Sequence, residues 1–160
     1  MNPYEVPSTT QPTVVPGMEG TMRLASQGQR FLTSIIDNVV LYGINFGVGL
    51  VLGIVLLAAA GGEITKETEL TINLIAMVVG IFVAILYYFA MEVATGTTVG
   101  KLVMGTKVVS ADGGKPTTGQ ILGRSFCRLI PFEAFSFLGN KGFPIGWHDS
   151  IPGTRVIKTR

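Results

Sequence analysis

Arg30, Ser34 and Asp37 stand at i, i+4 and i+7, and Leu41 and Asn45 continue the same side at later turns. On a helix they form one narrow polar stripe along an otherwise apolar cylinder, which cannot comfortably face lipid. Arg30 and Asp37 lie about 10 Å apart along such an axis, too far for a simple ion pair, so each needs a partner from elsewhere. Glu92, which ends a second apolar run, is the first candidate partner. Arg124 and Arg128 share one helical face and can neutralise two such carboxylates. His148 beside Asp149 is a candidate proton-transfer pair, or with Trp147 an interfacial anchor. Charges kept near a membrane core are costly, so this set points to an ion path, a proton relay or structural bracing.

Other chemistries are poorly supported. A single cysteine, Cys127, excludes an internal disulfide, and one histidine cannot build a conventional zinc site with it. No metal and no cofactor are expected. Thr95-Gly96-Thr97-Thr98-Val99-Gly100-Lys101 lacks the spacing of a phosphate loop and reads as a tight helix exit with Lys101 at the headgroups. No nucleophile and base can be placed together, so no enzymatic activity is expected. A net charge of +2, with no basic run, argues against nucleic acid as a partner.

The elements that must position these residues are membrane elements. Of the 160 residues, 48% are hydrophobic and 14% charged, and mean hydropathy is +0.50; a chain of this composition cannot turn all its surface to water. Residues 1–25, with Pro3, Pro7, Pro12 and Pro16, read as a disordered cytoplasmic tail. The first apolar run follows roughly thirty residues of polar chain, so it is expected to serve as its own insertion signal.

Ser26 and Gln29 have capping-box spacing and should start the first helix. Val39 to Ala60 and Leu70 to Met91 carry no charge, and roughly 22 residues at about 1.5 Å each cross a hydrocarbon core near 30 Å thick. Spans over about 30–60 and 70–92 follow. The connector holds Lys66 against Glu63, Glu67 and Glu69, whereas Arg23, Arg30, Lys101, Lys107 and Lys115 lie on the other side. This asymmetry places both ends of the hairpin in the cytoplasm, with Tyr87 and Tyr88 at the inner interface.

Beyond the spans, Leu102 to Val109 reads as a strand, Asp112-Gly113-Gly114 as a turn and Lys115 to Thr118 as the return. Thr154 to Lys158 is a further strand candidate. Residues 119–138 are apolar but broken by Arg124, Arg128, Pro131 and Glu133, which favours an interfacial or re-entrant helix and leaves a third full span as the alternative. The fold class is therefore a mainly α membrane protein: a two-span helical hairpin, an amphipathic or re-entrant third helix and a small cytoplasmic β-hairpin element. Gly43 and Gly47, then Gly49 and Gly53, offer two contact faces, one for the second span and one for another copy.

Arg30 to Asp37, Glu92, Thr95 to Lys101, Val108-Val109, Asp112-Gly113, Arg124, Arg128, His148-Asp149 and Gly153 to Val156 together resemble the RDD family of bacterial membrane proteins. The resemblance covers about Gln27 to Lys158, within a membrane domain set at 26–158. It implies that Arg30, Asp37 and Asp149 are the family's naming residues, and an inner-membrane location. Members have about three membrane segments, and an ion or proton antiport role has been proposed for some. The stretch between Arg128 and His148 is short for a third span. A monovalent cation or proton is the expected ligand, handled by a homo-oligomer or with a membrane partner subunit, because two spans cannot enclose a path. A membrane adaptor that binds a partner protein is the alternative.

Overall fold

The computed structural model describes residues 22–131, 136 and 145–159. The tail expected over 1–25 and the later part of the helix expected over 119–138 fall largely outside them.

Helix α1 (Gln27–Ala59) starts on a complete capping box, with Ser26 Oγ accepting the Gln29 amide and Gln29 Oε1 accepting the Ser26 amide. A short connector, with Gly61 and Gly62 at positive φ, leads to α2 (Lys66–Thr95), which Thr65 caps at its start and left-handed Gly96 ends. At 33 and 30 residues, these helices run about 50 and 45 Å, longer than a hydrocarbon core of about 30 Å. The surplus turns carry Arg30 to Asp37 on α1 and Glu92 on α2.

In the most apolar window of each helix only 6% of residues are buried inside the protein. Val39, Tyr42, Phe46, Val51, Ile54, Val78 and Phe82 all stand exposed on these two helices. The core helix of a soluble protein would bury such side chains, and an apolar face this large needs lipid or another protein against it.

Asn45 and Gly80 bring α1 and α2 together, a Cβ on Gly80 lying 3.2 Å from Asn45 Oδ1. The four glycines Gly43, Gly47, Gly49 and Gly53 meet nothing that a Cβ would touch. The expectation that one of their faces receives the second span is therefore corrected: no residue of α2 lies within 4 Å of a Cβ at any of them.

The polar end of the hairpin folds differently from the expected β-hairpin. Thr98 caps α3 (Val99–Met104), left-handed Gly105 ends it, and Leu102 is thus helical. Strand β1 (Thr106–Ser110) pairs antiparallel with β2 (Thr154–Lys158) in the register Val108↔Val156. Leu24 bridges Ile157 on the other edge of β2. Residues 115–117 form no return strand. Pro116 has no amide to give a ladder, and a second capping box, Thr117 with Gln120, starts α4 (Thr118–Cys127) instead. This helix has 10 residues, about 15 Å and half a hydrocarbon core, so it does not span. The four-residue α5 (Trp147–Ser150) precedes β2.

Ala25, Val108 and Val156 form one small core and Leu24, Val109 and Ile157 another, fixing the chain just before α1 to the sheet. Both ends of the sequence that carry the charged residues are thereby drawn to one place.

Candidate functional site

Each charged residue reaches the site from a different element. Arg30 and Asp37 come from the first turns of α1, Glu92 from the last turns of α2, Lys101 from α3, Arg124 and Arg128 from α4 and its C-cap, and His148 and Asp149 from α5. All seven residues singled out from the sequence are brought together. Lys101, Tyr87, Thr98, Gly100 and Thr154 join them.

Glu92, 1% exposed, collects three cations. Its Oε1 accepts from Lys101 Nζ at 2.9 Å and Arg128 Nη2 at 3.1 Å, and its Oε2 from Arg124 Nε at 2.9 Å. Arg128 also lies 4.1 Å from the centre of the Tyr88 ring, a cation–π contact in a desolvated setting.

Asp149 is the second anionic centre. Arg30 Nη1 donates to its Oδ2 and Arg124 Nη1 to its Oδ1, while His148 Nε2 stands 3.7 Å away. Arg124 thus bridges the two carboxylates, with Thr154 Oγ1 as a further acceptor. The planar guanidinium makes this possible, because its donors fan out along several directions at once.

Asp37 is held in another way. Tyr87 Oη donates to its Oδ1 at 2.9 Å, the Gly100 amide to the same oxygen at 2.7 Å, and Thr98 Oγ1 to Oδ2 at 2.6 Å. These donors are neutral. Asp37 makes no ion pair among the described residues, and Lys101 acts on it only at longer range. The carboxylate caps the start of α3 from across the fold, where free amides and the helix dipole favour negative charge. Arg30 points to Asp149, a partner from elsewhere as its axial distance from Asp37 requires.

Charges outside the two long apolar helices respond to these surroundings. Burial by itself would raise the carboxyl of Asp149, but His148, Arg30 and Arg124 outweigh it and hold that group well below the usual carboxylate range. Burial lowers Lys101 to about 8 despite the pull of Glu92. For Arg124, the attraction of Glu92 and Asp149 exceeds the burial penalty and raises its proton affinity.

Stability follows by linkage. With Asp149 depressed in the fold, its contribution is present above the unfolded value of 3.8 and is lost as pH falls below it. Thermal unfolding in detergent across pH 5 to 2 should show a steep acid loss, shallower in Asp149→Asn, which starts from lower stability. Lys101 acts on the alkaline side: between about 8 and 10.5 the unfolded chain binds the extra proton, so its contribution to stability rises with pH.

The sequence placed Lys101 at the headgroups and Tyr87 and Tyr88 in the interface. Here Lys101 and Tyr88 are buried and Tyr87 is half-buried against Asp37. The lysine sits nine residues after Glu92 across a Gly-Thr-Thr turn, a spacing that could have suggested the pair.

The RDD family model matches residues 24–151, which include every residue of the cluster except Thr154. No curated protein and no solved structure matches the chain.

Proposed function

This chain belongs to the RDD family, and on that premise we propose that it is a multi-pass protein of the bacterial cytoplasmic membrane that handles a monovalent cation or proton at its charged cluster. Asp37 is the carboxylate that exchanges the ion. The N-terminus is cytoplasmic, since the cluster side holds Arg23, Arg30, Lys101, Lys107 and Lys115 and the connector only Lys66. The reading assigns it no covalent catalysis and no cofactor.

The observation that carries the proposal is the neutral set of donors around Asp37. A proton placed on Glu92 would leave three cations without their carboxylate, and one on Asp149 would leave two arginines so. On Asp37 it breaks no ion pair. Beyond the lone pair that takes the Val99 amide at 3.3 Å, the Tyr87 hydroxyl has another to turn toward a protonated carboxyl, whereas Thr98 Oγ1 already accepts from the Lys101 amide and ammonium. Tyr87, hydrogen-bonded to this carboxyl, is half-buried.

Two spans cannot enclose a path, so exchange across the bilayer requires a second copy or a partner subunit. The open faces of Gly43, Gly47, Gly49 and Gly53 suit close helix approach. In liposomes, a pH gradient should drive cation flux through the wild-type protein, and Asp37→Asn should reduce it to the level of protein-free vesicles while still inserting. Absence of flux in well-formed wild-type vesicles would sink this reading. It would favour an adaptor, to which the capping of α3 by Asp37 is equally suited.

A further inference from the structure

A cavity of about 180 Å³ lies where α1 and α4 both pack on α2; one water needs only about 10–15 Å³. Buried Leu41 and Tyr88 form its floor, and exposed Asn38 and Leu129 its rim, so it opens sideways between α1 and α4. Arg124 meets Glu92 and Arg128 meets the Tyr88 ring, one turn onward along α4 for one turn back along α2. Helix α4 therefore rises antiparallel beside α2.

The lining changes in the same direction on both flanking walls. Ser34 on α1 and Ser125 on α4 lie toward the charged cluster, whereas Leu41 on α1 and Leu129 just past α4 lie toward the apolar stretches, as does Ile85 on α2. Ser34 and Ser125 donate to the Arg30 and Ile121 carbonyls, and Asn45 further along α1 donates to the Leu41 carbonyl. The Asn38 amide makes no such bond among the described residues, which leaves its N–H groups to a ligand. Asn38 stands just before the charge-free run that begins at Val39, and Tyr88 just before the end of the one that closes at Met91. Runs of this length match the hydrocarbon core, so their ends lie near the depth of lipid ester groups.

We infer that this crevice seats one phospholipid from the leaflet on the cluster side, the Asn38 amide donating to an ester carbonyl and one acyl chain rising along Leu41, Ile85 and Leu129. Polar and then apolar lining succeed one another along the helix axes as ester and chain do along a lipid, and an amide at this depth is costly unless it finds an acceptor. The rim also adjoins exposed apolar surface at Val39, which is 64% exposed. Seated there, the lipid fills the gap between α1 and α4 and holds both against α2. This site is independent of ion exchange at Asp37, and either can fail without the other.

The test is native mass spectrometry of the full-length protein in detergent, titrated with phosphatidylethanolamine or with its diether analogue of the same chain lengths, which has no carbonyl. One diester lipid per chain is expected to stay bound after the detergent is stripped. The diether should be held about three- to tenfold more weakly, the worth of one net hydrogen bond. Asn38→Leu should hold the two lipids equally, and thermal unfolding in detergent checks that it is folded. Failure of the wild type to retain any lipid would overturn the proposal and leave the crevice to water or detergent. Equal retention of the two lipids by the wild type, a comparison that needs no variant, would overturn it as well. So would an ester preference that folded Asn38→Leu keeps.

Discussion

Arg124→Met is expected to cost about 3–5 kcal/mol of unfolding free energy, the range for breaking a buried ion pair from one side. Arg124 is fully buried and donates to Glu92, Asp149 and Thr154 at once. Removing it takes one cation from each of two buried carboxylates, on α2 and α5. Lys101 and Arg128 still neutralise Glu92, so the larger loss falls on Asp149, left with Arg30 and the more distant His148. Arg124→Lys should recover little, because a single ammonium cannot span both carboxylates in the plane that the guanidinium uses. Thermal or denaturant unfolding in detergent reads the effect, and a loss under about 1 kcal/mol, typical of exposed pairs, would show that the network is open to solvent.

Gly100→Ala should be the second most damaging single change. A Cβ at this position would overlap the Thr33 carbonyl oxygen and come within 3.0 Å of the Asp37 carboxyl. Both obstacles are fixed: one is backbone of α1, and the other is clamped by Tyr87, Thr98 and Gly100 itself. Helix α3 must therefore back away from α1, which overpacking studies put at about 1–3 kcal/mol. The retreat would also pull the Gly100 amide off Asp37, so ion flux should fall together with stability. Gly119→Ala, where a Cβ meets nothing within 4 Å, is the control and should change neither.

What the sequence made legible follows from the range of each signal. The two long apolar helices rest on local composition, and the starts of α1 and α4 on residues three apart, so patterns within a few turns sufficed for those helices and for the Ser26 box. The Thr117 box has the same form but lay within a stretch read as a returning strand. Branched residues marked Val108 and Val109 as strand, yet nothing local says that the partner is Val156 and its neighbours, 48 residues later, rather than the chain just beyond Gly114.

The charged residues could be named because charge beside a membrane is conspicuous. Their pairing could not: Arg30 and Asp149 are 119 positions apart, and the sheet that ties residues 24–25 to β2 helps to bring them together. Lys101 was hidden by its neighbourhood, since a lysine just past a span reads as a headgroup contact. Gly100 was hidden because a close backbone approach leaves no trace in residue type beyond glycine itself.

Ion exchange at Asp37, as proposed, requires this carboxylate to change its bound ion in the folded protein. Infrared difference spectra of the protein in lipid, recorded on acidification or on withdrawal of the monovalent cation, report the carboxylic-acid stretch directly. The account predicts a band from a buried protonated carboxyl in the wild type that is lost in Asp37→Asn. A wild-type spectrum without that band, or one that Asp37→Asn leaves unchanged, would contradict it.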